Sequence, residues 1–226
     1  MAVQYNPGIV TSGLVLCLDA ANRKSYPGTG TGWFDLSGNE NTGILTNGPV
    51  YNNENAGYFT LDGANDFING TSISSQFTAD ITAEAWIYVT SAGVDWVRII
   101  GTGNNPIGNR TFGLWYASDR RLLWQRYGAG DPSIYPASPI IQLNTWNHVV
   151  ATTTGSNHML YLNGVSIGSN VATGPWAASN EPITIGFAGI HTYHNGRISN
   201  ARLYNRGLSE TEILQNFNAL RGRFGI

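Results

Sequence analysis

The chain has 226 residues, 42% hydrophobic and only 12% charged, with a formal net charge of −2. So little positive charge cannot neutralise a row of phosphates, which excludes nucleic acid as a partner. No apolar run approaches the roughly 20 residues that cross a bilayer, so membrane insertion is not expected.

With a charged share about half the usual one, the surface must be built from Asn, Ser, Thr and Gly. That composition suits one large turn-rich β-domain. The opening Met1-Ala-Val-Gln-Tyr-Asn-Pro-Gly8 has neither a basic stretch nor an apolar one. No secretory signal is read there, and synthesis in a cytoplasm is the expectation. Residues 1–12 read as an N-terminal arm, 13–220 as a single domain and 221–226 as a C-terminal tail.

Gly13 to Ala20 reads as the first strand, with the lone Cys17 as a small buried hydrophobe. Residues 22–56 are loop-like, with Trp33-Phe34 as an apolar island. Tyr58–Leu61 and Asp66–Ile68 flank a turn at Asp62-Gly63. Thr82–Thr90 alternates most cleanly: Thr82, Glu84, Trp86 and Tyr88 share one face, and Ala83, Ala85, Ile87 and Val89 the other. Further strands are expected at 97–100, 112–116, 122–127, 147–153, 182–185 and 196–204. Asn163-Gly164 supplies the two positive-φ positions of a type I′ hairpin. One helix is expected: Ser209-Glu-Thr-Glu212 is a capping box, Leu208 and Ile213 form a staple, and Gly222 is the expected stop.

Several pieces in this order carry a family resemblance. They are Trp33-Phe-Asp-Leu-Ser-Gly-Asn39, Tyr58-Phe-Thr-Leu-Asp-Gly63, Thr82-Ala-Glu-Ala-Trp-Ile-Tyr88, Trp146-Asn-His-Val-Val-Ala-Thr152, Leu160-Tyr-Leu-Asn-Gly164, Ile183-Thr-Ile-Gly186 and the run from Gly196 to Ser209. The chain resembles the laminin-G-like jelly-roll group of the concanavalin A-like lectin/glucanase superfamily. The resemblance implies an all-β fold: a two-sheet antiparallel jelly-roll sandwich with one short C-terminal helix. The segments Val3–Leu16, Asp19–Gly28 and Leu220–Ile226 also resemble structural proteins of tailed bacteriophages. That implies a virion location, in a capsid decoration, tail or fibre, with other virion proteins or copies of itself as partners.

Glycosidases of this superfamily need two carboxylates close together on one strand face. Glu84 is the only acid in the clearest strand, and Glu210/Glu212 belong to the helix start, so no catalytic residue is assigned. Gly164-Val-Ser-Ile-Gly168 matches G-x-S-x-G, but Ser166 lies in a hairpin rather than a strand-to-helix elbow.

Calcium is the candidate cofactor, with Asp35, Asn39, Asp62 and Asp66 as ligands. In relatives such loops lie near a Ca²⁺ held partly by an acid of the closing strand, where this chain has Ser199 and Asn200. The alternative is that Asp35 and Asp62 close Asx turns. Trp33, Trp96, Tyr135, Trp176 and Tyr193 sit in or beside loops rich in Gly, Asn and Ser. Their flat faces suit sugar rings, so host-surface glycans are the candidate ligand, and the same faces suit protein contacts. Trp86, Trp146 and Phe59 read as packing residues, and His148 as a structural histidine.

Overall fold

The computed structural model of the chain describes residues 8–77, 80–103, 110–127, 133–138, 140–171, 180–189 and 192–226. Their strands are β1 (Leu14–Asp19), β2 (Gly32–Trp33), β3 (Gly43–Thr46), β4 (Val50–Asn52), β5 (Tyr58–Asp62), β6 (Phe67–Asn69), β7 (Ile81–Ser91) and β8 (Val97–Thr102). They continue with β9 (Phe112–Tyr116), β10 (Leu122–Arg126), β11 (Ser133–Ile134), β12 (Trp146–Thr154), β13 (Asn157–Leu162), β14 (Val165–Val171), β15 (Ile183–Ile185) and β16 (Asn195–Tyr204). The α-helix α1 (Glu210–Phe224) follows.

Two eight-stranded antiparallel sheets form a sandwich. One runs β14-β13-β12-β7-β16-β5-β4, with β1 pairing to the same long β16 beyond the end of β5. The other runs β11-β10-β9-β8-β15-β6-β3-β2. The alternation of β7 explains the layering. Ala83, Ala85, Ile87 and Val89 face the inter-sheet core, where they meet Val149, Ala151, Ala201 and Leu203. The opposite face, carrying Glu84, Trp86 and Tyr88, is not left to solvent. Helix α1 covers it, and Trp86 packs with Trp146, Phe217, Leu220 and Phe224.

The local signals form as the sequence predicts. Asn163 and Gly164 adopt φ of 51° and 79° and close the β13–β14 hairpin. Both halves of the capping box are made at Ser209 and Glu212, and Leu208 and Ile213 share one apolar cluster.

The helix does not stop at Gly222, however. It continues to Phe224 and ends on Gly225, left-handed at φ 73°. The extra turn stacks Phe224 on Trp86 at 4.2 Å and brings Arg223 to 3.0 Å from Asp19. Burying an aromatic ring gains about 2 kcal/mol or more, against about 1 kcal/mol lost to a glycine inside a helix. The run from residue 221 thus begins as helix. In the arm, Val10 is buried, and its N–H donates to Asn216 Oδ1 at 2.8 Å. Strands β2, β3, β4 and β11 were not foreseen. Each is two to four residues long, too short to show a period, and is defined only by its pairing.

A buried polar network locks α1 to its sheet. Glu84 Oε1 lies 2.7 Å from Arg202 Nη1 and 3.2 Å from His148 Nε2. Glu84 Oε2 accepts from Asn216 Nδ2 of the helix at 2.7 Å. Burial alone would raise the Glu84 carboxyl, but Arg202, His148 and Asn216 outweigh it and hold it at about 2. Glu84→Ala leaves Arg202 buried without its counter-charge. We expect about 3–5 kcal/mol of lost stability in urea unfolding, and a much smaller loss when Arg202 is replaced by Met in the same chain.

Candidate functional site

At one end of the sandwich lie loops 62–66, 92–96, 117–121 and 186–189, with Thr192, Tyr193 and His194. Aromatic side chains in and beside them form two half-buried groups. In the first, Trp96 lies 5.1 Å from Tyr135. The Tyr135 hydroxyl donates to Asp119 Oδ2 at 2.9 Å, and the Arg121 guanidinium covers its ring at 3.6 Å. In the second, Phe187 and Tyr193 stack at 4.0 Å and Phe67 lies 5.3 Å from Phe187. The Thr192 N–H donates to the Trp96 carbonyl at 3.2 Å, so the two groups border one shared stretch of backbone.

Structure thus separates the residues that sequence had grouped. Trp96, Tyr135 and Tyr193 belong to this rim. Trp176 lies outside the described residues. Trp33 must be corrected: it is fully buried, edge-on to Phe59 at 4.8 Å in the inter-sheet core, and offers no face to a ligand. Its neighbour Phe34, 47% exposed, takes the outward position instead.

The proposed calcium ligands act as turn formers. Asp35 Oδ1 accepts from the Cys17 and Ser37 amides at 2.7 and 2.9 Å, and its Oδ2 from Ser37 Oγ and the Asn41 amide. Asn39 Nδ2 donates to Ser37 Oγ at 2.9 Å and to the Leu14 carbonyl at 3.3 Å. Asp62 Oδ1 accepts from the amides of Ala64, Asn65 and Asp66, which lower its pKa. Asp66 Oδ2 accepts from the Asp62 amide, closing the turn that delivers Phe67 to the rim. Among the described residues no group of three or more His, Cys, Asp or Glu is placed to hold a metal. Asp35 and Asp62 thus close the Asx-type turns of the alternative reading.

Beside the rim lies the outer face of the second sheet, and the sequence had not singled it out. Arg98 of β8 stands opposite Trp115 of β9, with its guanidinium 4.6 Å from the ring. Trp115 lies flat over Gly113, where an added Cβ would come within 2.1 Å of Nε1. Arg98 Nη1 donates to Thr184 Oγ1 at 2.8 Å and to the Gly103 carbonyl. Arg110 lies 5.3 Å from the Trp115 ring and donates to the Tyr127 hydroxyl at 2.9 Å. Both arginines are buried. Burial, with the Arg110 charge beside it, pulls Arg98 down to about 9. The signal available in the sequence was one arginine inside the apolar strand Val97-Arg-Ile-Ile100.

No catalytic carboxylate pair is assembled at either place among the described residues. Glu84 is sealed beneath α1. Ser166 is exposed on the return strand of its hairpin, not on an elbow.

The laminin G 3 family model, described as the concanavalin A-like lectin/glucanases superfamily, matches residues 62–214. The chain belongs to this family. No curated protein sequence matches it significantly. Among solved structures it is similar to the binding domain of Paraclostridial Mosquitocidal Protein 1, with 20% identity and a TM-score of 0.72 over 92% of this chain and 52% of that one. It is similar to Trypanosoma rangeli sialidase, with 22% identity and a TM-score of 0.70 over 93% of this chain and 33% of that one. It is also similar to domain 4 of AbnA, a GH43 extracellular arabinanase from Geobacillus stearothermophilus, solved with arabinotriose. There the identity is 14% and the TM-score 0.72, over 91% of this chain and 98% of that one. The chain thus spans about half of the mosquitocidal domain and a third of the sialidase. At these identities the likeness establishes the fold.

His194 ties the rim to the core: it is fully buried, with Nδ1 3.0 Å from the Tyr116 hydroxyl. Burial lowers the imidazole from 6.5 to about 4, so it is neutral in the folded protein. As pH falls from about 6.5, the unfolded chain gains this proton and the folded chain does not until about 4. Stability is therefore lost across that window, on the order of 3 kcal/mol. Urea midpoints at pH 7 and pH 4.5 should differ clearly for the wild type, and His194→Gln should flatten the difference.

Proposed function

We propose that this domain is a non-catalytic module that adheres to carbohydrate and serves as a structural part of a virion. The observation that carries the carbohydrate reading is the aromatic rim. Half-buried rings of Trp96, Tyr135, Phe187 and Tyr193 gather at one sandwich end, amid loops of Gly, Asn and Thr. Sugar C–H faces stack on such rings while hydroxyls bond to nearby amides. Membership of a lectin/glucanase superfamily supports this, as does the similarity to an arabinanase domain solved with arabinotriose. The virion half rests on the resemblance of the terminal segments to phage structural proteins. Its partners would be other virion proteins or further copies of this chain, met by surface contact.

A glycan array tests the first half. The wild type should bind a defined subset of glycans, and Trp96→Ala with Tyr193→Ala should weaken that binding at least tenfold while the far-ultraviolet circular dichroism stays unchanged. Mass spectrometry of purified particles tests the second, and absence of the chain from them would remove it.

The sialidase similarity favours a hydrolase as the second reading. Glycosidase chemistry commonly uses two carboxyl groups roughly 5–10 Å apart, and the rim acid Asp119 is already held by Arg121 and Tyr135. Turnover of a fluorogenic sialoside or arabinoside panel by the purified chain would establish that reading over the adhesive one; none is expected.

A further inference from the structure

The outer face of the second sheet holds two buried cations with open hydrogen-bonding positions. Arg98 is 0% exposed and Arg110 4%. Each uses its Nη1, on Gly103 and Thr184 in one case and on Tyr127 in the other. The Nε and Nη2 atoms of both are buried without any hydrogen-bond partner, and so is the Thr111 hydroxyl next to Arg110. No described carboxylate pairs with either guanidinium.

This is an unusual arrangement. Buried polar atoms are nearly always satisfied, and buried charges are normally paired. Here two like charges share the ring of Trp115, at 4.6 and 5.3 Å. Cation–π contact offsets part of the cost but supplies no acceptor for the open N–H groups. On the helix-covered sheet the same residue type is treated differently, since Arg202 faces Glu84 at 2.7 Å.

A guanidinium presents its Nε and Nη2 as a planar fork, which matches the two oxygens of a carboxylate, sulfate or phosphate. Two forks together supply a double positive charge and donors for more than one oxygen. Burial of both arginines and of Trp115 limits the visitor to a small group rather than a whole sugar ring stacked on the indole.

We propose that Arg98 and Arg110 form a binding site for one small oxyanion, namely the carboxylate or sulfate substituent of an acidic sugar. The oxyanion site stands on the guanidinium cluster alone; that a sugar carries the oxyanion rests on the carbohydrate-binding reading above. The rim would take the neutral part of the ligand and the arginines its charge. Selectivity for acidic over neutral glycans follows, because a neutral hydroxyl cannot compensate two cations.

Calorimetric titration of the whole chain with sodium sulfate, glucuronate and glucose, at constant ionic strength, tests this. Sulfate and glucuronate should each give one saturable site. Arg110→Gln and Arg98→Lys should weaken both at least tenfold, and Trp96→Ala should leave sulfate binding unchanged. Because Arg98 is fully buried, a second measurement avoids reliance on folded variants: selenate soaked into wild-type crystals should give one anomalous peak within hydrogen-bond distance of Arg98 and Arg110. No saturable sulfate or glucuronate binding in the wild type, a selenate peak elsewhere only, or binding untouched in both arginine variants overturns the site. Sulfate binding without glucuronate binding upholds the oxyanion site and overturns a carboxylate sugar as its ligand. Absence of any wild-type glycan binding on the array, with sulfate binding intact, overturns the rim reading alone.

Discussion

The ion pair of Glu84 and Arg202 is the constraint on which the helix-backed half of this molecule depends. Removing a carboxylate and a guanidinium from water costs several kcal/mol each. The pair persists because Glu84 has further partners besides Arg202. Asn216 reaches Glu84 from α1, 132 residues away in the chain, and also donates to the Tyr204 hydroxyl at 3.0 Å. The same Asn216 accepts from Val10, so arm, sheet and helix meet at one side chain. Arg202 is held above its ordinary value, the Glu84 charge outweighing burial. Around this polar centre Trp86, Trp146, Phe217 and Phe224 exclude water. Directional bonds set where the helix sits, and ring burial supplies most of the energy that keeps it there.

The two sheets treat their outer faces differently. The first turns Glu84 toward a helix whose Asn216 donates to it. The second turns Arg98, Trp115 and Thr184 outward, away from the apolar inter-sheet core, and has no helix over them among the described residues. A face with open donors and flat rings is suited to recognition, whereas a face sealed by a packed helix is suited to stability. The rim loops lie beside that recognition face. Val97 follows Trp96 directly in β8, and the Arg121–Asp119 pair closes the β9–β10 turn.

Local features were legible in the sequence. The capping box at Ser209 and Glu212, the turn at Asn163-Gly164 and the alternation of β7 each depend on residues within about ten positions. What misled was chemistry read without depth. Trp33 and Trp96 have similar loop-like surroundings in the sequence, yet one fills the core beside Phe59 and the other stands half-buried at the rim. Asp35 and Asp62 have the residue types of a cation site, and the structure adds that their oxygens accept from backbone amides, one of them that of Cys17 on β1. Gly222 looked like a helix end because its glycine signal is local, whereas the stacking of Phe224 on Trp86 that overrides it is not.

The sequence by itself determined the all-β class, the antiparallel hairpins and the single capped helix, because these follow from backbone preferences and from apolar periods along the chain. Only the tertiary structure decided which aromatic rings are packing and which border a surface. It also decided that Glu84 finds a counter-charge while Arg98 and Arg110 find none among the described residues. Burial and charge pairing are properties of side chains brought together across the two sheets from distant positions, and no window of neighbouring residues contains them.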